Sequence, residues 1–237
     1  MKPKAVFNWS SGKDSALALY KILQEDRYEM TALLTSINKE FRRVSMHGLP
    51  VALLEQQAES LGFPLIKIEL PKEPSMEEYR QIMDTTMKEV LNMGVTHSIF
   101  GDIFLEDLRK YRENQLQAMG IQAVFPLWQQ DTTRLIHEFL DLGFKTIVTC
   151  VNETYLDSGF AGRIIDQDFL KDLPDDVDPC GENGEFHTFT FDGPIFKNPV
   201  AFDIGETVRK TYPKPKSHED EESGEYVFWF SDLIKSD

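Results

Sequence analysis

The sequence predicts an α/β fold, a mostly parallel sheet with helices on both faces, followed by a smaller α+β C-terminal domain. Three observations predict it. Short β-rich runs alternate with longer helical patterns from Lys4 to Val151, the mark of βαβ units crossed right-handedly. A loop of small residues joins the first strand to the first helix. Beyond Val151 the alternation stops and loop-rich, glycine-containing sequence takes over, so the expected division is 1–151 and 152–237.

The elements follow in order. Lys4 to Trp9 reads as a strand, then Asp14 to Glu25 as a helix with Ala16, Leu19, Tyr20 and Leu23 on one face. Met30 to Ser36 is a second strand, Pro50 to Leu61 a helix with proline in its first turn, and Leu65 to Leu70 a third strand. Ser75 and Glu78 form a capping-box pattern. The helix they open buries Tyr79, Ile82, Met83, Met87, Val90 and Leu91 and ends at Gly94. Thr96 to Phe100 (strand), Asp107 to Met119 (helix), Ala123 to Phe125 (strand), Asp131 to Leu142 (helix) and Lys145 to Val151 (strand) complete the alternating region. Asp157 to Pro179 is loop-rich with one short helical piece, and Cys180 to Asp192 opens with glycines and continues as an alternating strand. Lys214 to Glu225 reads as a solvated charged loop, and Tyr226 to Phe230 as a strand returning to a sheet.

Composition narrows the function classes. The 237 residues carry 40 acidic against 25 basic side chains, a formal charge of −15, which argues against a broad nucleic-acid or anionic-membrane footprint. Cys150 and Cys180 are the only cysteines and stand far apart, so neither a disulfide framework nor a zinc site is expected, and a cytoplasmic setting fits. No apolar run long enough to cross a membrane occurs, and no export signal is read at the N-terminus.

In parallel α/β sheets ligands bind beyond the carboxyl ends of the strands. Those ends hold Ser10 to Ser15, Ser36, Gly101-Asp102 and Asn152-Glu153. The stretch "FNWSSGKDS" is not a Walker A loop, because the spacing to an earlier glycine is wrong and Asp14 occupies the hydroxyl position. Ser10, Ser11 and Gly12 still let consecutive amides face one anion at a helix start, with Lys13 adding charge and Ser15 a hydroxyl. Asp14 beside polyphosphate suggests magnesium-bound nucleotide. From these residues alone, a plain Ser/Asp helix start remains an alternative. In "CGENGEFHTFTFD", Glu182 and Glu185 flank a turn suited to a cationic group or ammonium, and His187 could carry a proton at neutral pH; a simple β-turn before a strand is the alternative. His47 reads equally as a lining of the nucleotide pocket or as a surface residue, His97 as structural, and His137 and His218 receive no role.

Ser10-Ser11-Gly12-Lys13-Asp14-Ser15 resembles the PP-loop, Ser-Gly-Gly-x-Asp-Ser, of the N-type ATP pyrophosphatases, with Ser11 in place of the first glycine. "GDIFLEDLRKYRE" (Gly101 to Glu113), "GFAGRIID" (Gly159 to Asp166) and "PCGENGEFHTFTFDGPIF" (Pro179 to Phe196) narrow the resemblance to the branch containing diphthine–ammonia ligase, over the chain to about Val200. The resemblance implies a Rossmann-like, adenine nucleotide alpha hydrolase (HUP-type) fold and an ATP-dependent amide ligase yielding AMP and pyrophosphate. It implies ATP and magnesium as cofactors. Ser10, Ser11, Gly12, Lys13, Asp14, Ser15, Ser36, Gly101 and Asp102 would bind the nucleotide, with the metal on Asp14. Glu182, Asn183, Gly184, Glu185, His187 and Thr188 would bind the acyl substrate, and Lys13, Asp14 and Glu185 would be catalytic. Expected partners are ammonia, since no glutaminase region is recognised, and an elongation factor carrying diphthine if the source is archaeal or eukaryotic. The alternatives are a PP-loop enzyme acting on another carboxylate, a tRNA-modifying PP-loop enzyme and a non-catalytic nucleotide-binding protein.

Overall fold

The computed structural model of the protein describes residues 1–44, 48–213 and 225–236. His47, His218 and the charged stretch from Lys214 to Gly224 lie outside the described residues.

Five strands form the parallel sheet: β1 (Lys4–Asn8), β2 (Glu29–Asn38), β4 (Leu65–Leu70), β5 (Val95–Ile99) and β6 (Gln122–Val124). Their spatial order is β4-β2-β1-β5-β6, every pair parallel. Counted among themselves these strands run 3-2-1-4-5, the doubly wound order, and the direction of winding reverses between β1 and β5. A two-residue strand, β3 (Arg43–Val44), pairs antiparallel with Ile37 and Asn38 of β2 and was not foreseen from sequence. Those two residues also pair with β4, so β3 takes the edge that β1 has left.

Strand alternation distributes the helices. Ala5 and Phe7 of β1 face α1 (Lys13–Glu25) and α2 (Val51–Leu61), while Val6 faces α3 (Met76–Asn92) and α4 (Glu106–Gln117). Ser75 caps α3 with the reciprocal Glu78 bonds expected of a capping box. Within α3, Thr86, Met87 and Val90 are buried, whereas Leu91, expected inward, is exposed. Among the described residues no helix is long and apolar enough to cross a membrane.

The second sheet corrects one expectation. β7 (Lys145–Asn152), read as the last strand of the alternating region, pairs antiparallel with β8 (Phe186–Asp192) and β10 (Glu225–Lys235). After Lys145 every residue of β7 is buried, so it shows no alternation, and a doubly covered strand gives no periodic signal of which sheet it joins. The change of sheet therefore falls before β7, between β6 and the end of α5 (Thr132–Asp141), and not after residue 151. The order is β8-β7-β10-β9, with β9 (Phe202–Pro213) an unforeseen strand at the edge. β10 does return to a sheet, between β7 and β9.

One core runs through both sheets, from Phe7 and Leu33 to Phe186 and Phe189. The sheets also meet in hydrogen bonds: the Thr190 amide on β8 donates to the Ser11 carbonyl at 2.9 Å. β8 thereby touches the loop that leaves β1.

Candidate active site

The loop is built by local bonds. The Ser10 and Ser15 hydroxyls lie 2.7 Å apart, the Ser10 amide donates to the Ser15 hydroxyl at 3.2 Å and the Gly12 amide to the Ser10 hydroxyl at 3.3 Å. This folds the chain back over the start of α1, whose first-turn amides have no helical acceptors. Ser11 adopts φ +74, the left-handed region that favours glycine, as the resemblance to a glycine-bearing loop required. Its side chain is fully buried and its hydroxyl has no hydrogen-bond partner among the described residues.

Gln57 of α2 holds this strained residue. Its Nε2 donates to the carbonyls of Ser11 and Thr190, and its Oε1 accepts from the Trp9 indole at 3.0 Å. The amide is completely buried and fully used. Sequence reasoning missed it, because a glutamine on an amphipathic helix carries no signal of which carbonyls it will meet.

β5 closes on the loop from the other side of the switch point. A Cβ at Gly101 would stand 3.0 Å from the Ser15 amide nitrogen and 3.1 Å from the Asp14 carbonyl carbon, so a side chain here would push on the backbone of the loop. Asp102 follows, mostly buried, and accepts from Arg112 of α4 at 2.6 Å. Burial raises the Asp102 carboxyl against the pull of Arg112, and burial lowers the Arg112 guanidinium against Asp102. Ser36 pairs with Ile68 and makes no hydrogen bond to the loop among the described residues.

The segment from Asp178 to Glu185 supplies the third wall. The Lys13 side chain is 3% exposed, and its Nζ pairs with Asp14 at 2.7 Å and donates to the Cys180 carbonyl. Burial lowers the Lys13 ammonium, but Asp14, with smaller contributions from Cys180 and Glu182, outweighs it and leaves the group raised. The Lys13 amide donates to the Thr188 hydroxyl at 3.0 Å. His187 neighbours Cys150 across the β7–β8 ladder, and its carbonyl accepts from Thr149 at 3.3 Å.

The two glutamates of the turn differ in kind. Glu185, 1% exposed, accepts from the amides of Asp178 (3.2 Å) and Asn183 (2.9 Å) and from the Asn183 side chain (3.0 Å). It closes the turn in which Gly181 and Gly184 take φ of +68 and +84. Glu185, expected as a catalytic group, has both carboxylate oxygens engaged by the turn. Glu182 reaches across to the segment after Asp102: its Oε1 accepts from the Ile103 amide at 2.8 Å and the Phe104 amide at 3.4 Å, and its Oε2 has no hydrogen-bond partner among the described residues. Burial first, then Asp14, raises its carboxyl to about 7. Sequence reasoning ranked Glu182 below Glu185 because spacing alone does not show which carboxylate the turn consumes.

Asp14, Asp102 and Glu182 thus converge on the start of α1, opposed by Lys13 and Arg112. Such an arrangement can accept an anion at the helix start and a proton on Glu182. Two family domains match this chain: residues 2–123 the diphthamide synthase N-terminal domain, and residues 131–215 the diphthamide synthase C-terminal domain. The chain belongs to the diphthamide synthase family.

Family relatives include proteins named diphthine–ammonia ligase. The zebrafish (Danio rerio) protein is 27% identical over 166 residues, covering 64% of this chain and 65% of its own length. The cattle (Bos taurus) and human proteins are 33% and 32% identical over 110 residues, covering 44% of this chain and 41% of theirs. The chain thus spans less than two thirds of the length of these relatives. Among solved structures, the U34-tRNA thiolase NcsA from Methanococcus maripaludis with its [4Fe-4S] cluster aligns at a TM-score of 0.34 and 13% identity, over 60% of this chain and 57% of that one. A likeness at that level carries no weight for function.

Proposed function

We propose that this chain is an ATP-dependent amide ligase of the diphthine–ammonia ligase type, working in the cytoplasm on a protein-borne carboxylate. The observation that carries the reading is the joining of a non-Walker anion loop, Ser10 to Ser15, to a partly buried glutamate, Glu182, whose carboxyl is pushed up to about 7 by desolvation and Asp14. The first-turn amides of Asp14 and Ser15, together with the Lys13 ammonium, would hold the departing pyrophosphate. The substrate carboxylate would attack the α-phosphorus, breaking the bond to the bridging oxygen, so that pyrophosphate leaves and an acyl-AMP forms. Ammonia would then add to the acyl carbon, AMP would depart, and ionised Glu182 would take the proton that nitrogen loses. Arg112, 28% exposed beside Asp102, is suited to steady the approaching carboxylate.

Magnesium fits as a phosphate-bound ion. Among the described residues no three His, Cys, Asp or Glu side chains form a metal cluster, so Asp14 would contribute one carboxylate and the nucleotide the remaining oxygens. When bound, the ion would neutralise charge on the leaving pyrophosphate. A sulfur-transfer reaction is disfavoured by the thiols: burial pushes Cys150 up to about 12 and pushes Cys180 higher still, leaving neither as a ready nucleophile.

Incubation with Mg-ATP, ammonium and a diphthine-bearing elongation factor should give AMP and pyrophosphate in step with amide formation. ADP and phosphate as the main products would overturn the reading.

A further inference from the structure

β9 is the edge of the second sheet, and among the described residues its backbone hydrogen-bonds only to β10. A twelve-residue exposed edge is a template for another strand. In its central five residues, Glu206-Thr207-Val208-Arg209-Lys210, opposite charges stand two positions either side of Val208. Laid antiparallel on a second copy with Val208 opposite Val208, Glu206 of each chain faces Lys210 of the other. The faces agree as well, since Glu206, Val208, Lys210 and Phe230 line one cleft of about 430 Å³ on the same side of the sheet.

The two charges are also left over. Arg209, on the opposite face, is held by Glu153 at 2.7 Å, but neither Glu206 nor Lys210 has an ion-pair partner among the described residues. Lys210 lies over the Phe230 ring, at 4.9 Å. Val208, exposed, adds an apolar contact at the centre. The β9–β10 ladder is regular from Pro213 to Thr207, and Gly205 and Glu206 fall in the irregularity opposite Ser231 to Leu233, so Glu206 stands at the end of the regular segment. Charges that merely shield an edge need no such pairing of signs.

From these features we infer that two copies of this chain associate through β9, forming one continuous eight-stranded antiparallel sheet with Val208 on the two-fold axis. The interface is isologous, so each charge pair occurs twice.

Sedimentation velocity on the full chain, over concentrations up to about 100 µM, reads the association. Wild type should dimerise, and more weakly as salt rises. Glu206→Lys and Lys210→Glu each turn two attractive pairs into two repulsive ones and should weaken the dimer about tenfold or more. The double swap should restore it. Thermal melts of all variants check that the fold is intact. Val208→Cys tests the register: its thiol should oxidise to a disulfide-linked dimer, since directly opposed strand residues lie within disulfide reach. Cys150 and Cys180 are buried and stay silent, and Lys210→Cys should not cross-link to itself. A monomeric wild type, single swaps that dimerise as wild type does, a double swap that fails to recover, or equal cross-linking at 208 and 210 would each overturn the inference.

Discussion

The backbone amide of Lys13 and the side-chain hydroxyl of Thr188, 175 residues apart in sequence, are joined by a 3.0 Å hydrogen bond. With the bond from Thr190 to Ser11, it makes β8 of the second sheet part of the loop on the first. Thr188→Val keeps the shape and removes the acceptor, leaving a buried amide unsatisfied. A loss of about 1 to 3 kcal/mol in stability is expected, read by denaturant unfolding, with weaker ATP binding by calorimetry.

Gln57→Leu tests the buried clamp. The substitution leaves the Ser11 and Thr190 carbonyls without its amide and the Trp9 indole without its acceptor. Unfolding should become easier by about 2 kcal/mol or more. ATP affinity should also fall, although Gln57 has no exposed surface with which to touch the nucleotide.

Ser11→Gly relieves a left-handed backbone and removes an unpartnered hydroxyl. The variant should gain stability, by about 1 kcal/mol. A lower melting temperature would show that the hydroxyl contributes a contact outweighing the strain.

Glu182→Gln should lower amide formation about 10²-fold or more while sparing ATP binding. In the wild type the rate should rise with pH through about 7 as this carboxyl ionises, and that limb should vanish in the variant. Stability moves the other way. Because folding raises this carboxyl from 4.5 to about 7, the folded state keeps a proton that the unfolded state has released. The contribution to stability is therefore lost as pH climbs between those values, and Glu182→Gln should flatten that slope in melts taken from pH 4 to 8.

Glu185→Gln separates the neighbouring carboxylate from chemistry. With three donors on a buried carboxylate, its loss should cost about 2 kcal/mol in stability. The pH profile of the remaining activity should keep its shape. A vanished limb near pH 7 would move the proton-accepting role from Glu182 to Glu185.

What was legible in the sequence depended on how local its cause was. Strand and helix alternation from Lys4 to Val124, the Ser75 cap and the Ser10 to Ser15 loop all arise from neighbours within a turn or two, and residues close in sequence announced them. β7 was seen as a strand but assigned to the wrong sheet, since burial on both faces removes the alternation that tells sheets apart. β9 escaped because Gly205 and a run of charges interrupt its pattern, and it exists through its pairing with β10, some twenty residues on. Gln57 and the contrast between Glu182 and Glu185 rest on contacts across much of the chain, which no spacing rule reports.

The position of β10 bears on how the protein is made. As a ribosome releases the chain, the parallel sheet is complete in sequence by Val124, yet β7 gains its second partner only when Phe228 to Phe230 emerge. β8, which holds Ser11 and Lys13 through Thr190 and Thr188, hangs on the other edge of β7. The Ser10 to Ser15 loop is thus among the last parts of the molecule to become rigid, so a nascent or truncated chain has the parallel sheet in outline without the assembled candidate site.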